Sequence, residues 1–226
     1  MKPALVFDWN GTLLDDAHVL LQTTNAILDR FGHATIDMDT FRKHCDIPLS
    51  ILYCSLGMSE SEVAAVDRDS GAMFHDMYER FASKTDLREG ARRILEIAHE
   101  QAASSIIVSN HVVDPLRSQL RRLGINDYIS EVIAFESRGT QFKSMSKGER
   151  LRLYMQENDL KPPASFIIGD MPNETNIARD LGLISVSITG GFVSDSRLQA
   201  AEPDYIIRSH HELLPILQAH GYFRDT

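Results

Sequence analysis

The chain has 226 residues, 43% hydrophobic and 24% charged, which suits a sizeable folded core and excludes a disordered or collagen-like chain. Its 23 Lys and Arg against 32 Asp and Glu give a net charge of −9, which argues against a nucleic-acid backbone or an anionic membrane surface as main partner. Two cysteines, Cys45 and Cys54, make neither a disulfide framework nor a zinc spacing, and no apolar run reaches signal-peptide or transmembrane length, so a soluble cytoplasmic protein is expected.

Ala4–Phe7 is a short apolar run of the kind that forms a fully buried strand. No such run follows between Asp15 and Leu87. Val19, Leu20, Ala26, Ile27 and Phe31 instead share a helix face closed by Gly32, and further helices are predicted over Asp39–Lys43, Ile51–Leu56, Ser61–Asp69 and Gly71–Ala82. Within that block Met58, Met73, Met77, Phe74 and Tyr78 read as core, while Arg42 and Lys43 read as an anion-meeting pair or a solvated face. Strand-like runs return at Ser105–Val108, Val132–Phe135, Ser165–Ile168, Ile184–Ile188 and Tyr205–Ile207. Between them helical spacing recurs, at Ile94, Leu95 and Ala98, at Leu116, Leu120 and Leu123, and at Leu151, Leu153 and Tyr154. His210-His211 opens a last helix and reads as a surface pair. Strands alternating with helices predict an α/β fold whose parallel sheet is covered on both faces, formed by residues 1–14 and 88–226, with a helical cap inserted over 15–87.

In open parallel sheets ligands bind beyond the carboxyl ends of the strands, so the polar residues there are the candidate site. The first strand ends at Asp8, followed by Trp9-Asn10-Gly11-Thr12; a carboxylate there can attack a substrate, bind a metal or merely cap a turn. The second ends in Ser109-Asn110, a hydroxyl and an amide that also suit a turn or helix cap. Asp170 ends the fourth, with Glu174 four residues on, where an acid also favours a helix N-terminus. Lys147 opens a helix at the same level.

Taken together, these residues resemble the haloacid dehalogenase superfamily of hydrolases, over nearly the whole chain. Asp8-Trp9-Asn10-Gly11-Thr12-Leu13 is similar to the first motif, Ser109 to the second, Lys147 (with Lys143 as the alternative) to the third, and Gly169-Asp170 with Glu174 to the fourth. Ala200–Ile207 resembles the family's last strand, and the helical insertion resembles its cap, in a class and size similar to phosphoglycolate phosphatases. The resemblance implies a Rossmann-like three-layer core and a Mg²⁺-dependent hydrolase of small phosphorylated metabolites that passes through an aspartyl phosphate on Asp8. It implies Asp8, Asp170, the Asn10 carbonyl and Glu174 around Mg²⁺. It also implies Lys147, Ser109, Asn110 and the main chain near Trp9 and Asn10 around the phosphoryl group. Oligomeric state is not legible.

Asn10 departs from the pattern. Phosphatases of this family carry an acid there, which protonates the leaving alcohol and then activates water. An amide cannot exchange that proton, and general acid–base catalysis contributes roughly 10²–10⁴-fold, so a slow enzyme is expected unless Asp15 or Asp16 substitutes. Two other readings stay open. One is a carbon–heteroatom hydrolase, either a metal-independent dehalogenase or a phosphonatase using Lys43 as imine-forming amine. The other is a binding or regulatory protein that keeps the pocket but turns over poorly.

Overall fold

The computed structural model describes residues 3–138 and 145–223. Six strands form one sheet: β1 (Ala4–Phe7), β2 (Ser104–Val112), β3 (Glu131–Phe135), β4 (Phe166–Gly169), β5 (Ile184–Ile188) and β6 (Tyr205–Ile207). Every pairing is parallel, in the order β3-β2-β1-β4-β5-β6, so β1 lies at the centre between β2 and β4.

Alternation along β1 decides which layer each side chain enters. Leu5 and Phe7 face one layer, packed with Ile94, Leu95, Leu116, Leu120, Leu213 and Leu217. These come from α6 (Ala91–Glu100), α7 (Val113–Arg122) and α11 (Leu213–Ala219). Ala4 and Val6 face the other layer with Leu151, Met155, Ile177 and Ala178, supplied by α8 (Lys147–Glu157) and α9 (Pro172–Leu181). Both faces of the central strand are therefore dry, and each fully buried Leu or Phe contributes about 1.5–3 kcal/mol to that core. Helix α10 (Asp195–Ala200) follows β5. Ser165 lies just outside β4; its hydroxyl accepts from the Ala4 amide (3.0 Å) and donates to the Lys161 carbonyl (2.7 Å), tying the start of β1 to its neighbour.

Between β1 and α6 the chain forms α1 (Ala17–Arg30), α2 (Met38–His44), α3 (Leu49–Ser55), α4 (Glu60–Val66) and α5 (Arg68–Ala82). Ile27, Leu28, Tyr53, Met58, Val63 and Val66 form a core of their own here. A second cluster joins these helices to the strand-end loops: Ala17, Leu20, Phe41, Cys45 and Leu52 pack with Met171, Phe192 and Val193. Arg42 reinforces that joint, donating from Nε to the Gly191 carbonyl (3.0 Å) and from Nη2 to the Gly190 carbonyl (2.7 Å), while Lys43 is exposed. The two neighbours thus do different work, Arg42 being partly buried and tied to main-chain carbonyls.

His210 corrects the expectation of a surface pair. It is fully buried, its Nε2 donating to the Thr12 carbonyl (2.9 Å) and its ring 6.2 Å from that of Phe7. The segment after β6 is pulled inward because the His210 amide bonds the Glu89 carbonyl (3.1 Å); only His211 faces water.

Candidate active site

Asp8 follows β1 directly, and its amide donates to the Ile168 carbonyl (2.9 Å), which continues the β1–β4 ladder by one residue and fixes the carboxylate at the sheet edge. Lys147 reaches it from the first residue of α8. Ser146 caps that helix through a reciprocal bond pair with Glu149, and a side chain on the first turn leans towards the helix N-terminus, here into the site. The Lys147 Nζ lies 2.8 Å from Asp8 Oδ1 and 2.6 Å from Glu174 Oε1. Lys147 is nearly inaccessible. Burial alone would lower its pKa, but the charges of Asp8 and Glu174 outweigh burial and hold the ammonium above its ordinary value. Lys143 lies outside the described residues.

Asp170 sits behind this pair, fully buried. Its Oδ1 accepts from the Thr12 hydroxyl (3.0 Å) and its Oδ2 from the Phe192 amide (2.7 Å). Burial, then the charges of Asp8 and Glu174, push its pKa well up; burial also raises that of Glu174, against the opposing pull of Lys147. Two glycines make room for the carboxylate: a Cβ on Gly11 (φ +69°) or on Gly191 would stand 2.2 Å from Asp170 Oδ2.

The donor set fits a hard divalent cation. Asp8, Asp170 and Glu174 bring three carboxylates against the single ammonium of Lys147, and Glu174 Oε2 is buried with no hydrogen-bond partner. Among the described residues no three His, Cys, Asp or Glu side chains converge closely enough to cage an ion by themselves. Mg²⁺ takes one or two carboxylates and completes its shell with water and substrate phosphate.

Strand β2 does not end at Ser109, as the sequence suggested; it runs on to Val112, with a register shift against β3 between Val108 and Val112. A bulge of this kind re-aims side chains. Ser109, buried, accepts from the His111 amide (3.1 Å) and lines the cavity together with Asn110. Arg150 braces the turn, donating to the Ser109 carbonyl (3.0 Å) and to Asn110 Oδ1 (3.3 Å). Trp9 points away from the cavity: its indole is fully buried and donates to Gln119 Oε1 (2.7 Å), so only its main chain is at the strand edge.

Asn10 heads a network the sequence did not reveal. Its Nδ2 donates to Asp16 Oδ2 (2.9 Å) and to the Tyr78 hydroxyl (2.7 Å), while Asp16 also accepts from Tyr78 (2.6 Å) and from the Gly11 amide (2.6 Å). Asp16 is fully buried, and burial raises its pKa; Asp15 is exposed. Tyr78 is therefore not only cap core. The sequence signal was there in part, since Phe74 and Tyr78, one turn apart on α5, share a face that lines the cavity. Arg88 closes the other side of the first loop, donating to the Gly11 carbonyl (2.7 Å) and the Thr189 carbonyl (2.5 Å), and no local pattern announced it. Cys45 is buried in the cluster beside the strand-end loops, with burial pushing its thiol pKa up.

These groups surround one cavity of about 1040 Å³. Asp8, Asn10, Ser109, Asn110, Lys147 and Glu174 line it, whereas Trp9 and Asp170 lie behind its wall. No helix among the described residues is long and apolar enough to cross a membrane.

Residues 5–188 match the family model for haloacid dehalogenase-like hydrolases. A phosphoglycolate phosphatase from Synechococcus elongatus is 25% identical over 211 residues, covering 93% of this chain and 95% of that protein. Another from Rhodobacter capsulatus is 25% identical over 196 residues, covering 85% and 86%. A haloacid dehalogenase-like family hydrolase from Streptococcus pneumoniae superposes with a TM-score of 0.81 at 20% identity, over 96% of this chain and 99% of that one.

Proposed function

Since this chain belongs to the haloacid dehalogenase-like hydrolase family, we propose that it is a Mg²⁺-dependent phosphatase of small phosphorylated metabolites with Asp8 as nucleophile. The observation that carries this reading is Lys147, held between Asp8 (2.8 Å) and Glu174 (2.6 Å) in the wall of a cavity large enough for a metabolite. The relatives named phosphoglycolate phosphatases support phosphate over halide chemistry. So does the excess of buried carboxylates, which a metal-free dehalogenase would leave uncompensated. An imine route lacks its amine, because Lys43 is exposed and does not line the cavity.

Asp8, Asp170 and the Asn10 main-chain carbonyl would hold Mg²⁺, with Glu174 behind them. When bound, the ion supplies charge neutralisation for the phosphoryl oxygens. Lys147 fixes the Asp8 carboxylate by its 2.8 Å contact and presents its ammonium to the incoming phosphate. The Ser109 hydroxyl donates to a phosphoryl oxygen. An Asp8 oxygen attacks phosphorus, the ester P–O bond breaks with its electron pair on the departing oxygen, and that oxygen takes a proton from water. A second water then attacks the phosphorus of the aspartyl phosphate, giving its proton to the hydroxide left by the first step, while the Asp8 Oδ–P bond breaks to release inorganic phosphate and free the Asp8 carboxylate. Asn10 orients this chemistry through its bonds to Asp16 and Tyr78 but transfers no proton, so turnover is slow.

Release of phosphate from p-nitrophenyl phosphate, with Mg²⁺ and with a chelator, tests the reading. Activity is expected only with metal, and none in Asp8→Asn, which circular dichroism should show to be folded. Full activity in that variant refutes Asp8 as nucleophile.

A further inference from the structure

The cavity of about 1040 Å³ stands at the upper end of the roughly 300–1,000 Å³ usual for small-molecule pockets, which leaves room for the alcohol part of an ester beside its phosphoryl group. The cap wall of that cavity carries the carboxylates of Asp16, Asp46 and Asp67 and the rings of Tyr53, Phe74 and Tyr78. Among the described residues it carries no Lys or Arg. Arg42 is tied to the Gly190 and Gly191 carbonyls, and Lys43 is exposed outside the cavity.

The core side does not restore the balance. Lys147 belongs to Asp8 and Glu174. Arg197 lies 3.3 Å from Asp46 Oδ2 and also donates to the Cys45 carbonyl. Arg152 stands one turn after Glu149 on α8, exposed, and Asp180 adds another acid to the lining. Away from the phosphoryl site, lining carboxylates therefore outnumber guanidiniums among the described residues. An anionic group on the alcohol part would meet more like charge than opposite charge there and would lose its water for little return.

We propose that the substrate is a phosphomonoester whose alcohol part bears no negative charge, a neutral hydroxylated or an amine-bearing alcohol, and that esters with a carboxylate there are rejected. This rests on the phosphatase reading above and narrows it: the relatives named phosphoglycolate phosphatases are similar over most of the chain, while the charge of the cap wall disfavours an acidic substrate.

The test compares kcat/KM for phosphate release from 2-phosphoglycolate, glycerol 1-phosphate and phosphoethanolamine, with Mg²⁺ at pH 8. The two non-acidic esters are expected to exceed phosphoglycolate by about ten-fold or more. Asp67 is exposed and makes no side-chain cap bond to α5, so Asp67→Lys should fold; it is expected to shift the ratio towards phosphoglycolate by about ten-fold. Phosphoglycolate turned over as well as or better than the others overturns the inference while leaving the phosphatase reading intact. A ratio unmoved by Asp67→Lys overturns the assignment of selectivity to cap charge. Release from none of the three esters refutes the phosphatase reading and this inference with it.

Discussion

His210 makes the stability of this fold depend on pH in a window that can be worked out from its surroundings. Its ring is fully buried, its Nε2–H is committed to the Thr12 carbonyl, and its Nδ1 has no hydrogen-bond partner. A proton added at Nδ1 would sit in the core without an acceptor, so burial depresses the pKa from 6.5 to about 4, with the Arg88 and His211 charges pushing the same way against the Thr12 bond. Between those values an unfolded chain takes up a proton that the folded chain refuses. The folded state thus has its full advantage above pH 6.5 and loses it as pH falls towards 4. At pH 4.5 the loss amounts to about 2.5 kcal/mol, and it approaches about 3 kcal/mol below both values. His210→Gln keeps an N–H for Thr12 but does not titrate. Urea unfolding at pH 7.5 and pH 4.5 should show the wild type losing about 2.5 kcal/mol more than the variant, whatever the variant's stability at neutral pH. The comparison cancels the carboxylates that titrate in both proteins. Equal pH dependence in the two would show that His210 is protonated at no cost, and the account of its burial would be wrong.

Two further outcomes concern the site. Asp170→Ala should weaken Mg²⁺ binding at least about ten-fold by calorimetry, since it deletes one of the buried carboxylates offered to the ion; unchanged affinity would place the metal elsewhere. Asn10→Asp alone should raise kcat by less than about ten-fold, because the new carboxylate meets Asp16, whose Oδ2 is 2.9 Å from Asn10 Nδ2. The exchange Asn10→Asp with Asp16→Asn keeps one acid and one amide in contact, and should raise kcat on the same ester by about ten-fold or more. A loss of activity in the exchanged enzyme would show that Asn10 contributes something an acid cannot.

The sheet was legible because its strands are short, apolar and buried on both faces, and β1, β5 and β6 fall on the residues their apolar runs mark. Local pattern was weaker where polar residues join a strand. Ser109, Asn110 and His111 look like the start of a loop, yet the strand continues through them, because pairing resumes between Val112 and Phe135 beyond the bulge. His210 failed for a related reason. Its burial comes from the Glu89 and Thr12 carbonyls, 121 and 198 positions away in the chain respectively, and no periodicity around residue 210 encodes either.

At the site, the sequence exposed the groups whose spacing along the chain is itself the signal, Asp8 at a strand end and Asp170 followed by Glu174. It did not expose the groups that matter as pairs. Read alone, Asn10 is a missing acid and Asp16 a loop carboxylate. Joined at 2.9 Å with the Tyr78 hydroxyl between them, they are one unit holding one amide and one buried acid. Two acids there would share a proton or repel, so the residue tolerated at position 10 depends on the one at position 16. A substitution judged at a single position therefore reads as damage, whereas the contact shows a charge arrangement that the loop, helix α1 and the cap helix α5 hold together.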